Sequence, residues 1–140
     1  MENLLKLSNQ ICFPIYVLSK EITNMYRPLL DKLELTYPQY LVMMVLWEHE
    51  FLSVGQIGEL LRLDTGTLTP LLKRLEAKEL VLRRRSSIDE RIVTVSLTDK
   101  GKNLKKEATC VPVELLSKIN IPEQELEQLK QIINKILNTI

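Results

Sequence analysis

The chain is poor in the residues that most chemistry needs. Among 140 residues there are one His, one Trp, two Cys and four Gly, and long apolar runs are lacking. The longest, Tyr40 to Trp47, has eight residues, against the roughly 20 that a membrane-spanning helix needs. No basic stretch precedes an apolar core near Glu2 and Asn9, so no secretion signal is read there and a cytosolic protein without membrane partners is expected. The two cysteines lie far apart in sequence and form no C-x-x-C pair, which argues against a zinc site and against a secreted disulfide framework. If they act, they act as thiols. His49 sits between two glutamates with no other ligand at a suitable spacing, so neither a metal nor another cofactor is expected. Nucleophile-elbow, phosphate-loop and paired-carboxylate motifs are missing too, which speaks against an enzyme.

An excess of charge of one sign is also lacking, since 19 Lys and Arg stand against 18 Asp and Glu. Such a chain is no indiscriminate polyanion binder, but the balance hides an asymmetry. Residues 1–61 carry 4 positive and 7 negative charges, residues 62–91 carry 8 and 5, and residues 98–140 carry 7 and 6. A basic segment within a neutral chain fits a docking surface of limited size.

What the chain does have is helical periodicity. Leu4, Leu7, Ile11, Ile15, Leu18, Ile22, Met25 and Leu29 recur every three or four residues. This predicts one helix from Leu4 to Leu30 with a continuous apolar stripe. Pro14 lies inside it and would kink it or delay its regular part. Leu126, Leu129, Ile133, Ile136 and Ile140 repeat the spacing after Pro122, a residue suited to a first helical turn. Arms this apolar either pack on the chain's own core or meet a second copy. The second reading is the stronger, and a homodimer is expected. Thr36 to His49 reads as a buried central helix. Leu104, Ala108, Val111 and Leu115 continue helical spacing after Thr98, a suitable N-cap, with an interruption at Pro112.

The middle of the chain is more specific. Ser53-Val-Gly-Gln56 has the form of a capping box opening a short helix through Val54, Ile57 and Leu61. Arg62, Leu63 and Asp64 form the connection. Asp64 then caps a second helix, Thr65–Lys78, with Leu68, Leu71, Leu72 and Leu75 on one face. Two short helices joined by three residues make a helix-turn-helix. The opposite face of the second helix bears Thr65, Gly66, Thr69 and Lys73. Small, hydroxylated and basic residues let a helix N-terminus approach phosphates and base edges, although an ordinary solvated face would look similar. Pro70 is awkward within that helix. Leu80 to Arg84 and Ile92 to Leu97 then read as two strands around the polar tip Arg85 to Arg91. The expected fold is therefore mainly α with a β-hairpin wing. A winged helix-turn-helix DNA-binding region at 36–98 stands between dimerisation helices at 1–34 and 104–140, within one unit of 1–140. Candidate contacts to double-stranded DNA are Thr65, Thr67, Thr69, Lys73 and Arg74 on the helix. Arg83, Arg84 and Arg85 would serve phosphates, and Arg91 a minor groove. One of Asp89 and Glu90 is expected to fold back onto an arginine, and the Lys100–Lys106 run to form a solvated face.

These segments resemble the MarR family of dimeric winged-helix transcription regulators. The likeness spans LDTGTLTPLLKRLE and DERIVTVSLTDKG, and its most specific mark is Asp89-Glu90-Arg91 followed by Leu97-Thr98 and Gly101. Within that family NQICF (Asn9–Phe13), LTYPQY (Leu35–Tyr40) and LWEHE (Leu46–Glu50) are similar to the organic-hydroperoxide-sensing, OhrR-type branch. The resemblance implies a repressor that leaves its operator when a cysteine is oxidised by an organic hydroperoxide. It implies that Cys12 is the reactive thiol, that Tyr26 and Tyr37 hydrogen-bond its sulfur, and that Tyr16 joins the pocket. On a straight helix Tyr16 and Tyr26 fall within roughly 40° of Cys12. A phenol donating to a thiolate would lower its pKa. In two-cysteine members of the branch a second thiol resolves the oxidised one across the dimer. Cys110 lies in about the right helix but some two turns earlier than the family pattern places that residue, so both outcomes stay open.

Composition alone favours a different reading of Cys12, as a small core residue. Two functional alternatives accompany the thiol switch. One is a repressor of the same fold gated by a small aromatic ligand. The other is a thiol peroxidase, which would leave the winged helix unexplained.

Overall fold

The computed structural model describes residues 3–140; Glu2 lies outside them. After a single 3-10 turn at Leu7–Asn9 the chain forms α1 (Cys12–Asp31), α2 (Tyr37–His49), β1 (Phe51–Ser53), α3 (Val54–Leu61), α4 (Thr65–Ala77), β2 (Val81–Arg85), β3 (Val93–Leu97), α5 (Asp99–Ala108), α6 (Cys110–Lys118) and α7 (Glu123–Leu137). It is mainly helical, with one antiparallel sheet in the order β1-β3-β2.

The first helix is shorter than its apolar spacing predicts, beginning at Cys12 and not at Leu4. Pro14 is its third residue, where a backbone N–H has no intrahelical acceptor, so the proline fits the first turn without a kink. Upstream, the amides of Asn9 and Gln10 donate to the carbonyls of Asn3 and Lys6, a local pairing that competes with helix. At the other end Leu33 N and Leu35 N both return to Leu30 O, and Glu34 takes a left-handed φ of 55°. This is a tight helix stop.

That stop delivers the chain into α2, opened by a capping box in which Thr36 Oγ1 accepts from Gln39 N and Gln39 Oε1 from Thr36 N. Val42, Met43 and Leu46 are fully buried, as a helix apolar nearly all round requires. α1, α3, α4, α5, β1 and β3 all pack against α2. The paired strands expected after α4 are present, the first one residue later than predicted and the second starting one residue later but ending at Leu97 as predicted, registered from Val81 opposite Leu97 to Arg85 opposite Val93. β1 is an additional strand, with Leu52 opposite Val95; three residues are too few to show alternation.

The interruption expected at Pro112 falls at Thr109, between α5 and α6. Pro112 cannot donate to the carbonyl four residues back, that of Ala108, so the break appears one turn before the proline. Pro122 is the N-cap of α7, just ahead of the first-turn position expected for it. No residue of α7 is buried, and Leu129, Ile132, Ile133 and Ile136 are exposed along it, as are Phe13, Ile15 and Leu18 on α1. Among the described residues no helix is long and apolar enough to cross a membrane.

Where α5 meets the start of β2, Gly101 sits under Leu80, and the Trp47 indole N–H donates to its carbonyl at 2.9 Å. A Cβ there would stand 2.1 Å from Leu80 O. Gly101→Ala should therefore lower stability by about 3 kcal/mol through backbone displacement. Gly55→Ala, whose Cβ would meet only Ser53 Oγ at 3.9 Å, should raise it by about 0.5–1 kcal/mol. Urea midpoints of the two variants check both signs.

Candidate functional site

The helix-turn-helix is set by local hydrogen bonds. Ser53 Oγ accepts from Gln56 N at 3.1 Å and Ser53 N donates to Gln56 Oε1 at 2.9 Å, as its capping box requires. α3 ends at Arg62 in a left-handed conformation, φ 53°, with Leu63 N donating to Gly58 O. Gly58 is needed there because a Cβ would lie 2.7 Å from Leu63 O. Asp64 Oδ1 then accepts from Thr67 N at 2.8 Å and caps α4. Hydrogen bonding from the Thr67 side chain, and then from its backbone, holds the Asp64 carboxyl below its ordinary range.

α4 buries Leu68, Leu71, Leu72 and Leu75 and exposes Thr65, Gly66, Thr67, Pro70, Lys73 and Arg74, with Thr69 half-buried. Pro70 removes only the bond to the Gly66 carbonyl, which lies on this exposed face. An open groove runs between α4 and the paired strands β2 and β3, lined by Thr65, Thr69, Lys73, Arg83, Arg85 and Arg91.

The wing arginines divide by strand alternation. Arg83 and Arg85 face the groove, while Arg84 stands exposed on the other face. Glu76, on α4, accepts from both Arg83 N and its guanidinium, each at 3.0 Å. The Arg83 contacts hold the Glu76 carboxyl below its ordinary range. Arg83 is thus tied to the recognition helix, and its buried Nε has no partner among the described residues. At the wing tip it is Asp89 that folds back, as a two-point pair with Arg91 at 3.1 and 3.2 Å. Arg85 donates to Glu90 O at 2.9 Å. The Lys100–Lys106 run is not simply solvated: Lys100 Nζ donates to Lys78 O and Lys105 Nζ to Trp47 O.

The thiol candidates are distributed over α1, α2 and α6. Cys12 opens α1 and is exposed. Tyr16, also exposed, carries Lys20 Nζ 5.0 Å above its ring. Tyr26 and Tyr37 are brought together with ring centroids 4.6 Å apart, and Tyr40 joins them at 5.8 and 6.4 Å. Cys12 is not in that cluster. It shares a helix face with Tyr26, but fourteen residues of rise separate them by about 21 Å, and among the described residues no hydrogen bond joins Cys12 to a tyrosine. Cys110 opens α6, exposed, with its thiol donating to Glu107 O at 3.2 Å.

Burial, with smaller effects of Tyr37 and Tyr40, pushes the Tyr26 phenol up to about 12. Burial raises Tyr37 also. Tyr40 is raised by burial first, and then by Tyr37 and by Cys110. Sequence reasoning assigned Tyr40 to the core only; its place three residues after Tyr37, on the same helix face, was the available signal. Glu76, Gln39 and Lys78 were not singled out, and their partners lie across turns or far along the chain. His49 is exposed beside Glu48, and no metal-binding group of side chains occurs among the described residues.

A family described as transcriptional regulator SarA/Rot matches residues 24–108. The chain is 49% identical over 136 residues to the organic hydroperoxide resistance transcriptional regulator of Bacillus subtilis (strain 168), covering 97% of this chain and 92% of that one. AbfR of Staphylococcus epidermidis is a structural relative. Its reduced form bound to DNA is 33% identical with a TM-score of 0.81, covering 99% of this chain and 96% of that one. Its overoxidized form bound to DNA is 32% identical with a TM-score of 0.80, covering 99% and 98%. Its disulfide form is 34% identical with a TM-score of 0.67, covering 97% and 96%.

The raised phenols carry a pH signature. A folded-state pKa above the unfolded value of 10.0 means that the stability contributed is full below pH 10 and is lost as pH rises towards about 12. Tyr26→Phe should shrink the drop in urea midpoint between about pH 9 and about pH 11; an unchanged drop would place the alkaline sensitivity elsewhere.

Proposed function

Because the chain belongs to the SarA/Rot family of transcriptional regulators, of the MarR winged-helix type, we propose that it is a homodimeric repressor that releases operator DNA when an organic hydroperoxide oxidises Cys12. The observation that carries this reading is the placement of Cys12 and Tyr26 towards opposite ends of α1, with Tyr37 of α2 against Tyr26. Cys12 marks one end, the Tyr26–Tyr37 pair the other, and exposed Phe13, Ile15 and Leu18 lie between. Two α1 helices packed antiparallel through that apolar face would set each thiol against the tyrosines of the second copy. The same association would cover the exposed side chains of α7.

The chemistry follows from protonation states. A phenol is protonated at neutral pH, and burial only strengthens this for Tyr26 and Tyr37, so both have an O–H to donate to a thiolate. The Cys12 thiolate attacks one peroxide oxygen and the O–O bond breaks. Sulfur is oxidised by two electrons to the sulfenic acid, while the peroxide is reduced and leaves, once protonated, as the alcohol. The thiol of Cys110 from the second copy then attacks that sulfur, forming the disulfide and expelling water. The Cys110 thiol is free and exposed at the start of α6, which supports this resolving role. AbfR is named as bound to DNA in both its reduced and its overoxidized form, which supports the disulfide rather than overoxidation as the releasing state.

In the reduced state residues 36–98 are the DNA-binding region, with 1–34 and 104–140 as dimerisation arms. α4 enters the major groove, where Thr65, Thr67, Thr69, Lys73 and Arg74 meet bases and nearby phosphates. Half-sites lie about 10 bp, or a multiple of that, apart. Arg91 reaches the minor groove, Arg84 and Arg85 serve phosphates, and Arg83 mainly fixes the wing to α4 through Glu76.

The test is fluorescence anisotropy on DNA upstream of the protein's own gene, before and after stoichiometric cumene hydroperoxide. Wild type should bind as a dimer and release on oxidation while Cys12→Ser stays bound; equal behaviour of the two would overturn the thiol switch. On non-reducing gels the oxidised wild type should run as a dimer and Cys110→Ser as a monomer. Monomer bands in both would remove Cys110 from the mechanism.

A further inference from the structure

Lys78 links two parts of the molecule that the thiol reading needs connected. It is the C-cap of α4, the recognition helix. Its ammonium donates to Glu34 O, in the turn between α1 and α2, and to Gln39 Oε1 at 3.1 Å. Gln39 is almost fully buried, and the same oxygen accepts from Thr36 N in the capping box that starts α2. Tyr37 and Tyr40 occupy the first turn after that box. Among the described residues, the hydrogen bonds between the 32–40 corner and the helix-turn-helix all run through this one side chain.

The other side of Lys78 is also held. Lys100 Nζ donates to its carbonyl at 2.9 Å, and Thr98 Oγ1 and N donate to Glu79 O and Leu80 O. The end of α4 is thus fastened to α5 through the main chain and to the tyrosine corner through the Lys78 ammonium. The cation sits by the carbonyl end of α1, where the helix dipole favours it. It also faces the first turn of α2, where the dipole disfavours it. A shift of that corner changes the distance from Glu34 O and Gln39 Oε1 to Lys78, and the side chain must follow or let go.

We propose that Lys78 is a positioning residue that couples the tyrosine corner to the recognition helix, so that oxidation at the Tyr26–Tyr37 cluster is transmitted to α4 through the Glu34 carbonyl and Gln39. The inference rests on the thiol-switch reading above. Lys78 lies at the end of α4 remote from Thr65, so its role concerns the response to oxidant and not the reduced grip on DNA. A coupling free energy of this kind corresponds to roughly 5–150-fold in affinity, and its assignment to one residue requires a direct measurement of the coupling.

Lys78→Met keeps the aliphatic stem and removes the donor. Lys78→Gln, too short to span to Glu34 yet polar, serves if the methionine variant does not fold by circular dichroism. Lys78→Arg restores a cationic donor. Each is titrated against the same upstream DNA before and after stoichiometric cumene hydroperoxide, with free thiols counted to show that Cys12 has reacted. The expected result is reduced-state affinity within about threefold of wild type. The oxidative loss of affinity should fall to about a tenth of the wild-type factor or less in the methionine or glutamine variant, with recovery in Lys78→Arg. A folded variant that releases by the wild-type factor, or that has lost reduced-state binding, overturns the role of Lys78 alone. A wild type that stays bound after Cys12 has been oxidised overturns the switch itself, and this inference with it.

Discussion

Burial of α2 through Tyr40, Val42, Met43 and Leu46 is the constraint on which the rest of the structure depends. Val42, Met43 and Leu46 have no exposed surface, and each such side chain contributes about 1.5–3 kcal/mol relative to exposure. A helix with no polar face cannot sit at the rim of a small protein, so the other elements must wrap it. α3 and α4 then meet it through Ile57, Leu68, Leu72 and Leu75, which fixes the face that α4 turns outward. The same burial draws in Tyr40 and Gln39 at its start. The tyrosine corner and the recognition helix are consequently packed on the same helix.

Local features were legible and distant ones were not. Ser53, Asp64 and Thr98 could be read as caps because their capping bonds reach only three residues along the chain. The apolar face of α4 followed from its 3.6-residue repeat. Helix α1 was read too long because Leu4, Leu7 and Ile11 keep the period, while the side-chain bonds of Asn9 and Gln10 that break it carry no periodic signal. The angular agreement between Cys12 and Tyr26 was correct but blind to axial distance. Family resemblance supplied the grouping of Cys12 with the tyrosines, which no spacing argument in one chain could deliver. The Glu76–Arg83 pair crosses a turn, and Lys78 reaches a carbonyl 44 positions away; neither leaves a mark in a linear pattern.

The basic character of the middle segment also changes meaning once its partners are known. Arg83 is matched by Glu76, Arg91 by Asp89, and Arg85 by the Glu90 carbonyl. Among the described residues Arg84 has no such partner. The exposed Asp89–Arg91 pair adds little to stability, so these contacts matter for where the guanidinium groups point. Glu76 in particular converts a strand arginine into a fastening between wing and helix, and it does so with a backbone bond as well as a charged one.

The Asp89–Arg91 pair bears on the entropy of binding. The Arg91 side chain is 91% exposed, a position at which a free arginine would sample many rotamers, worth about 2 kcal/mol. The two-point contact with Asp89, together with Arg91 N on the same carboxylate, freezes much of that freedom in the unbound protein. A ligand that meets the wing tip encounters a fork already oriented, so less disorder is given up at the moment of contact. The carboxylate that reduces the local positive charge thereby makes the remaining charge a more selective probe of shape.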